Sequence, residues 1–221
     1  MCDETPDIPT VVIPYRNRRP HLDCLLVRLR GFRVVVVEQC DDLRFNRGAL
    51  LNAGYAKARQ LGARRVILHD CDLIPDDTLL AMYREEWPLP IVHFGARFRR
   101  YNNSKSYFGG VHGFCAGDFP GYPNHFWGWG GEDDALRNRV CMARTTYARR
   151  GEYLDLEGYV TAREKLAHLP QSERCPDKYE KLEQDKPAQD NHRAGMLDAR
   201  VQWTAGPDGV TWGCINYCRE A

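Results

Sequence analysis

Residues 65–75 read Arg-Val-Ile-Leu-His-Asp-Cys-Asp-Leu-Ile-Pro. The apolar, β-branched start predicts a buried strand, which the proline ends. Because side chains alternate along a strand, Asp70 and Asp72 are expected on one face and Cys71 on the other. Two carboxylates at the carboxyl end of a buried strand suit a divalent cation that also binds phosphate oxygens. The alternative is that the pair serves only as turn or capping residues.

Strands and helices alternate on both sides of this segment. Strands are predicted at 10–14, 32–38, 65–75 and 91–96, helices at 21–29 and 75–87, and a loop entering a helix at 45–56. The continuous apolar character of the 32–38 run suits a sheet that is covered on both faces. This alternation predicts an α/β fold with a largely parallel central sheet.

The second half of the chain gives weaker signals. Residues 132–140 and 161–169 are predicted helices, and 201–204 and 209–212 are the predicted strands of a closing hairpin. The polar segment 171–191 contains prolines and is interpreted as a mobile loop or lid. A chain of 221 residues can bury one sizeable core, so we expect one domain over residues 1–221.

Composition excludes several classes of partner. The formal net charge is +1 and no basic block occurs, which argues against a nucleic acid or a membrane surface. No apolar run has the length of a membrane span, and residues 1–5 do not resemble a signal peptide. The nine cysteines are scattered, so mostly reduced thiols are expected. Cys214 and Cys218 are left open as a disulfide or a metal-binding pair.

The stretch from Phe126 to Asp134 is where we expect the chemistry. It places two tryptophans and three glycines directly before three carboxylates. Glycine lets a ligand approach the backbone closely, and an indole offers a flat face to a sugar ring. Adjacent carboxylates can bind hydroxyl groups, and one of them can act as a base. The alternative is a turn with core tryptophans, since acidic residues also favour the first turn of a helix.

Arginines follow the first predicted strand and precede the helix entered by residues 45–56. Arg16 and Arg18 lie where an open α/β sheet binds ligands, and their forked donors suit a diphosphate. Arg47 lies near a helix amino end, where it could contact phosphate or uracil; solvated loop arginines are the alternative. Together these features predict a metal-dependent enzyme acting on a nucleotide diphosphate and a hydroxylated partner.

Five segments give the sequence a further meaning: residues 13–18, 45–47, 69–75, 107–111 and 126–134. In this order they resemble the signatures of the β-1,4-galactosyltransferase family, inverting glycosyltransferases of GT-A fold. Residues 192–196 resemble a further family segment more weakly. The resemblance implies a nucleotide-sugar-binding half at about 8–115. It also implies an acceptor-binding half at about 116–221, with a mobile loop at about 166–186.

The resemblance also implies roles for individual residues. UDP and the donor sugar would be bound by a set of nine residues: Pro14, Tyr15, Arg16, Arg18, Phe45, Arg47, Asp70, Cys71 and Trp129. Asp133 would be the catalytic base, and Glu132 would bind sugar hydroxyls beside it. Gly130, Gly131 and Asp134 would contact the acceptor, a carbohydrate or glycoconjugate. Tyr107 would favour galactose by crowding a 2-acetamido group.

The implied cofactor is Mn²⁺, with Mg²⁺ as the alternative. Asp72 would be one protein ligand. A histidine of the lid hinge would be another, which we assign to His168; His112, His125 and His192 are the alternatives. In some family members a methionine accompanies this histidine, and it would fall at Lys165 in this chain.

Departures from the family pattern leave several points open. Tyr15 replaces the usual Phe, and the amino-terminal membrane anchor of the luminal members is not seen, so a cytoplasmic location is favoured over the Golgi lumen. The donor is expected to be UDP-galactose. Another UDP-sugar (GalNAc, GlcNAc or Glc), or a non-catalytic glycan-binding module, is the alternative. Gly130-Gly131 resembles members that use N-acetylglucosamine as acceptor, whereas His69-Asp70 resembles the member that uses xylose.

Overall fold

The computed structural model describes residues 7–101, 106–185, 201–206 and 209–217. Its strands are β1 (Thr10–Tyr15), β2 (Arg33–Gln39), β3 (Arg65–His69), β4 (Leu73–Pro75), β5 (Ile91–His93), β6 (Val111–Cys115), β7 (Thr145–Tyr147), β8 (Tyr153–Asp155), β9 (Val201–Ala205) and β10 (Val210–Ile215). Its helices are α1 (Arg19–Arg28), α2 (Arg47–Gln60), α3 (Asp77–Arg84), α4 (Glu132–Arg139), α5 (Ala162–His168) and α6 (Lys178–Gln184). None of the helices described here is long and apolar enough to cross a membrane.

One sheet of eight strands organises the described part of the chain, in the order β7-β5-β6-β3-β1-β2-β10-β9. The central strands β3, β1, β2 and β10 run parallel to their neighbours within this group. Strands β6 and β9 run antiparallel to the strands they pair with. The predicted α/β fold with a largely parallel centre is confirmed, and the predicted closing hairpin is β9 with β10.

Both faces of the sheet are covered, as the apolar strands predict. Along β1, Val11 and Ile13 belong to a core formed with α1 and α3, whereas Val12 belongs to a core formed with α2. All three side chains are fully buried. Alternation of side chains along one strand therefore builds two separate cores from one short apolar run.

The segment 65–75 is not one strand, and this prediction was wrong. Strand β3 ends at His69, where its pairing with β6 also ends. Residues 70–72 form a turn, and β4 then pairs with β8 in a separate two-stranded sheet. Asp70 and Asp72 therefore lie in a turn rather than on one face of a strand.

Other elements are shorter than predicted or were missed. Helix α3 starts after Asp76, whose carboxylate accepts a hydrogen bond from the Leu79 amide at 2.8 Å, and it ends before the predicted 87. Strand β5 stops at His93, short of the predicted 96. Strands β6, β7 and β8 were not predicted because each is only three to five residues long. The predicted lid 171–191 contains α6, and its part from 186 onward lies outside the described residues.

One disulfide joins β10 to the end of β2. Cys40 and Cys214 are bonded across 174 positions of sequence. Five other cysteines of the described chain are free thiols: Cys24, Cys71, Cys115, Cys141 and Cys175. The expectation of mostly reduced thiols holds for this set, while Cys214 pairs with a residue we did not consider. Cys218 lies outside the described residues.

Two histidines are stacked inside the sheet. The rings of His93 and His112 lie 4.8 Å apart and nearly parallel, and both side chains are fully buried. Burial lowers the pKa of His93 to about 4. Burial, and then the neighbouring His93 and Arg47, hold the pKa of His112 well below its usual range. Both rings are therefore neutral in the folded protein near neutral pH.

We predict that His112→Phe weakens the acid sensitivity of folding. Below pH about 6.5 the unfolded chain protonates this histidine and the folded chain does not, so wild-type stability is lost as the pH falls. The unfolding free energy of His112→Phe relative to wild type should therefore rise by roughly 1.4 kcal/mol per pH unit between pH 6 and 5. Denaturant unfolding at pH 8, 7, 6 and 5 measures this difference.

Phe108→Leu is the matched control, because Phe108 contacts the His112 ring at 4.4 Å and does not titrate. Its stability difference from wild type should be the same at every pH. A pH-independent difference for His112→Phe as well would contradict the prediction.

Candidate active site

The Arg47 guanidinium lies between the acidic residues that the sequence singled out. Its Nε donates to Asp70 Oδ1 at 2.6 Å, and one terminal nitrogen donates to Asp133 Oδ1 at 2.7 Å. The same nitrogen lies 3.2 Å from the Tyr122 hydroxyl and 3.7 Å from Glu132. Arg47 therefore joins the turn after β3 to the start of α4.

Helix α2 places Arg47 in this position. Asn46 caps the helix by accepting a hydrogen bond from the Ala49 amide at 3.0 Å. The Asn46 side-chain amide donates to the Asn124 carbonyl at 2.7 Å, and its backbone amide donates to Gln39 at 2.8 Å. A capped and tethered first turn fixes the arginine at the first helical position.

Two glycines leave the space that lets the α4 carboxylates lie beside Arg47. Gly131 precedes the helix with a φ of +97°, and a Cβ there would lie 2.6 Å from the Phe126 ring. A Cβ on Gly109 would lie 2.7 Å from Asp133 Oδ2. Glycine is required at both positions, because any side chain would displace the ring or the carboxylate.

Burial changes the acidity of these carboxylates. Burial raises the pKa of Asp133 well above its usual range, Arg47 opposes this, and Glu132 and Asp70 add to the rise. Burial also raises the pKa of Glu132, and Arg47 again opposes it. A carboxylate with a raised pKa is a stronger base than an ordinary one, provided that it stays ionised. The contact with Arg47 favours the ionised form of Asp133.

A second group of carboxylates lies beside the first. Asp72, Asp155 and Glu157 place carboxylate oxygens within 4.8 Å of one another, and we call them the carboxylate cluster. They come from the turn after β3 and from the end of β8, which pairs with β4. Three hard oxygen donors at this spacing fit a divalent cation such as Mn²⁺ or Mg²⁺.

Basic side chains contact every member of the carboxylate cluster. Arg18 lies 3.2 Å from Asp72 Oδ2 and 2.9 Å from Glu157 Oε1. Lys165 lies 2.6 Å from Glu157 Oε2. Arg100 contacts the same Glu157 oxygen at 2.7 Å and also pairs with Asp155.

These neighbours set the acidity of two members in opposite directions. Burial raises the pKa of Asp72 to about 6, with Asp70 and Glu157 adding to the rise. Burial alone would raise the pKa of Glu157 too, but Lys165, with Arg100 and Arg18, lowers it to about 2. Glu157 is therefore the firmly ionised member of the cluster.

Two clefts meet at these residues. The first cleft, of about 630 Å³, lies at the carboxyl ends of β1, β2 and β3. The second cleft, of about 250 Å³, is lined by Tyr101, Tyr107 and the glycines before α4. Six residues line both clefts: Asp70, Asp72, Trp129, Glu132, Asp133 and Lys165.

The structure brings most of the predicted site residues together. The first cleft contains Pro14, Arg16, Arg18, Phe45, Arg47, Asp70, Cys71, Asp72, Trp129, Glu132 and Asp133. The second contains Tyr107, Gly130, Gly131 and Asp134. Tyr15 lines neither cleft; its buried ring packs edge-on against Trp212, 6.1 Å away. The glycines, Trp129 and the acidic triplet thus adjoin the Asp-x-Asp turn.

The histidines considered as metal ligands have other contacts within the described residues. The exposed His168 stacks on Tyr159, 5.5 Å away, and its Nδ1 lies 2.9 Å from the Glu164 carbonyl oxygen. His112 is buried in the sheet, and His125 packs against Phe126. None of the three belongs to the carboxylate cluster. His192 lies outside the described residues.

Sequence reasoning missed Asp155, Glu157 and Lys165. Residues 151–158 were assigned no role, although they contain the acidic pair Asp155-x-Glu157 and strand β8. The same Asp-x-acid spacing that drew attention to Asp70 and Asp72 was available there. The pairing of β8 with β4, which brings the two acidic pairs together, could not be read from the sequence.

The segment after α5 lies against the Trp129 loop. The Trp129 amide donates to the Glu173 carbonyl at 2.7 Å, and the Cys175 amide donates to the Trp129 carbonyl at 3.1 Å. Lys165 Nζ lies 5.7 Å from the centre of the Trp129 indole. The beginning of the predicted lid therefore closes one side of both clefts.

Comparison with known proteins identifies the family. Residues 2–84 match the family described as "N-terminal region of glycosyl transferase group 7", and residues 90–165 match "N-terminal domain of galactosyltransferase". The chain belongs to the β-1,4-galactosyltransferase family. Human β-1,4-galactosyltransferase 4 is 37% identical over 152 residues, covering 63% of this chain and 44% of the relative.

A second relative of similar identity has a name that states a different activity. A β-N-acetyl-D-glucosaminide β-1,4-N-acetylglucosaminyl-transferase of Lymnaea stagnalis is 40% identical over 166 residues, covering 68% of this chain and 33% of the relative. The chain thus spans between a third and just under a half of the length of these two family members.

Two solved structures have the same fold as this chain. The catalytic domain of Drosophila β1,4-galactosyltransferase 7, in complex with xylobiose, superposes with a TM-score of 0.68 at 21% identity. The match covers 96% of this chain and 94% of the Drosophila domain. A mutant of that enzyme in complex with manganese, UDP-Gal and xylobiose matches with the same TM-score at 20% identity. The likeness confirms the GT-A fold.

We predict that Arg47→Met destabilises the protein by about 3 kcal/mol, because removing the cation leaves Asp70, Glu132 and Asp133 facing one another without compensation. Protonation of the carboxylates relieves this repulsion, so the loss should be larger at pH 8 than at pH 5. Denaturant unfolding at the two pH values measures it.

Tyr122→Phe is the control, because it removes the neutral hydroxyl that accepts from the same guanidinium and donates to Asp133 at 3.4 Å, and it keeps the ring and every charge. It should cost about 1 kcal/mol at both pH values. An equal loss for the two variants would show that Arg47 does not hold the carboxylates together.

Proposed function

We propose that this protein is a metal-dependent inverting glycosyltransferase that moves galactose from UDP-α-galactose to a sugar hydroxyl, forming a β-1,4 linkage. The observation that carries the proposal is the meeting of two clefts at Asp133, Glu132 and the Asp70–Asp72 turn. Transfer between two bound molecules requires two adjoining sites with the base between them.

The first cleft has the groups that a uridine diphosphate needs. The Arg16 guanidinium lies 5.3 Å from the centre of the Phe45 ring and donates to the Leu43 carbonyl, which fixes both beside the loop after β2. An aromatic ring held in this way offers a stacking surface to a base. Arg18 lies at the carboxylate cluster, where a diphosphate would meet both the Arg18 guanidinium and the metal.

The second cleft suits a sugar. The rings of Tyr101 and Tyr107 are stacked 4.2 Å apart, and Trp129 lies at the junction with the first cleft. Aromatic faces bind the apolar side of a sugar ring, and Glu132, Asp133 and Asp134 offer acceptors to its hydroxyl groups. The acceptor is therefore proposed to be a carbohydrate or glycoconjugate.

The reaction is a single displacement at the anomeric carbon. Asp133 takes the proton of the acceptor hydroxyl as that oxygen bonds to the anomeric carbon, and the bond from this carbon to the phosphate oxygen breaks. Attack on the face opposite the leaving UDP inverts the configuration. Asp72, Asp155 and Glu157 would hold a divalent cation, which would supply positive charge to the leaving diphosphate. Arg47 favours the ionised form of Asp133 before the transfer, and Arg18 would face the leaving group.

The choice of donor sugar rests on Tyr107. Its side chain is enclosed by Tyr101, His93 and Phe98, and it lines the second cleft, into which the sugar of a donor bound in the first cleft would extend. A fixed tyrosine at this place leaves less space for a 2-acetamido group than a leucine would. The Lymnaea relative, named as an N-acetylglucosaminyl-transferase, favours the second candidate, transfer of N-acetylglucosamine.

The division into halves and the place of action are part of the proposal. Residues 8–115 would bind the donor and 116–221 the acceptor, with residues 166–186 as a mobile loop hinged near α5. The cytoplasm was the expected location. The Cys40–Cys214 disulfide supports the alternative, the Golgi lumen, because such bonds persist in oxidising compartments.

Release of UDP from a panel of UDP-sugars and acceptor monosaccharides tests the function. We expect release only when donor and acceptor are both present. Asp133→Asn should bind UDP like the wild type and turn over roughly 10²–10⁴-fold more slowly, the usual contribution of a positioned base. Asp77→Asn, a change on the exposed side chain of α3, should behave like the wild type. Wild-type turnover by Asp133→Asn would assign the base elsewhere, and no release with any pair would reject the function.

We predict that the wild type prefers UDP-Gal to UDP-GalNAc and UDP-GlcNAc, and that Tyr107→Leu relaxes this preference by opening space beside the sugar C2. The ratio of kcat/KM values for the three donors measures the change. Tyr107→Phe keeps the ring and should keep the ratio. Faster wild-type turnover with UDP-GlcNAc would support the second candidate instead.

The metal ligands are tested by removing their oxygens one at a time. Asp72→Ala, Asp155→Asn and Glu157→Gln should each weaken Mn²⁺-dependent UDP binding measured by calorimetry, since each removes a hard donor. Because all three donors are carboxylates, Mg²⁺ should support binding within about tenfold of Mn²⁺. His168→Ala decides between this set and the histidine: a loss of metal-dependent binding comparable to that of Glu157→Gln would add His168 as a ligand.

A further inference from the structure

Lys165 occupies the point where the carboxylate cluster and the two clefts adjoin. Its ammonium lies 2.6 Å from Glu157 Oε2, and its side chain is only 12% exposed. It lines both clefts, together with Asp72 and Trp129. Lys165 has no role in the proposed mechanism.

A metal at the carboxylate cluster would compete with Lys165. The Glu157 oxygen that Lys165 contacts is one of the hard donors that a divalent cation would require. A cation and an ammonium group cannot both take the same oxygen at contact distance without strong repulsion. Binding of a metal must therefore weaken the Lys165 ion pair.

The three basic neighbours of the cluster differ in how far they can move. Arg100 is 2% exposed and holds both Asp155 and Glu157, so it is part of the fixed structure. Arg18 is 43% exposed, and Lys165 belongs to the short helix α5, which has no buried residue. Arg18 would lose ion pairs with both Asp72 and Glu157 if it moved, whereas Lys165 would lose the one with Glu157 and still lie in the first cleft.

We propose that Lys165 is a donor-binding residue that exchanges partners: it holds Glu157 before a divalent cation binds, and it turns to the diphosphate once the cation takes the Glu157 oxygens. This rests on the proposed function, because the first cleft is taken as the UDP site. A charged hydrogen bond to the diphosphate replaces the lost ion pair. Metal and UDP then bind cooperatively, since each favours the same position of Lys165.

The exchange makes two predictions of opposite sign for Lys165→Met. Without nucleotide, Mn²⁺ should bind about tenfold more tightly than to the wild type, because a competing charge is gone. With saturating Mn²⁺, UDP should bind about tenfold more weakly, because a phosphate donor is gone. Calorimetry of Mn²⁺ alone, and of UDP in excess Mn²⁺, measures both without requiring turnover.

Three variants complete the design. Lys165→Arg keeps the charge and should restore UDP affinity; Lys165→Gln repeats the comparison if Lys165→Met does not fold. Arg163→Met removes a charge from an exposed position of the same helix and should change neither affinity. Weaker binding of both Mn²⁺ and UDP, or no change in either, would overturn the exchange. A wild type that binds no UDP with Mn²⁺ would overturn the proposed function itself, and the exchange with it.

Discussion

The structure of this site depends on compensating the repulsion among carboxylates that lie close together. Two trios of carboxylates lie where the two clefts meet: Asp70, Glu132 and Asp133, and Asp72, Asp155 and Glu157. Two charges 4 Å apart interact by about 4 kcal/mol near a protein surface, so this group would repel itself apart without compensation. Arg47 holds one trio, and Arg18, Arg100 and Lys165 hold the other.

The parallel part of the sheet explains why these groups meet. Strands β1, β2 and β3 end at the same edge, and the residues after each of them line the first cleft. Ligands of open α/β sheets bind at this edge because loops there can diverge from the strands. Helix α4 and the β4–β8 pair add carboxylates from the second half of the chain. The site is thus an assembly of short turns on a rigid edge, and the turns can vary without loss of the sheet.

Local patterns in the sequence were sufficient for the elements with strong periodicity. Strands β1 and β2 and helix α4 fall within two residues of their predicted bounds because apolar runs and end signals are local. The break at Asp70 was not predictable, because it depends on β6, about forty residues later, where pairing ends. Asp155 and Glu157 were missed for the same reason: their meeting with Asp72 is decided by pairing between two strands of three residues each. Tyr15 is the opposite case: it was predicted to bind UDP but lines neither cleft, since a motif position does not say which way its side chain points.

The disulfide between Cys40 and Cys214 closes a covalent ring in the chain, because the two cysteines are 174 positions apart in sequence. In the chain-entropy view, closing a loop of this size stabilises the folded state by about 5 kcal/mol. The ring includes α2, the Asp70–Asp72 turn, α4 and α5, so every candidate site residue except those in β1 and directly after it lies inside the ring. A cell that makes this chain under reducing conditions therefore makes a less stable protein with the same clefts. The choice of expression compartment then decides the yield of folded protein before it affects any reaction.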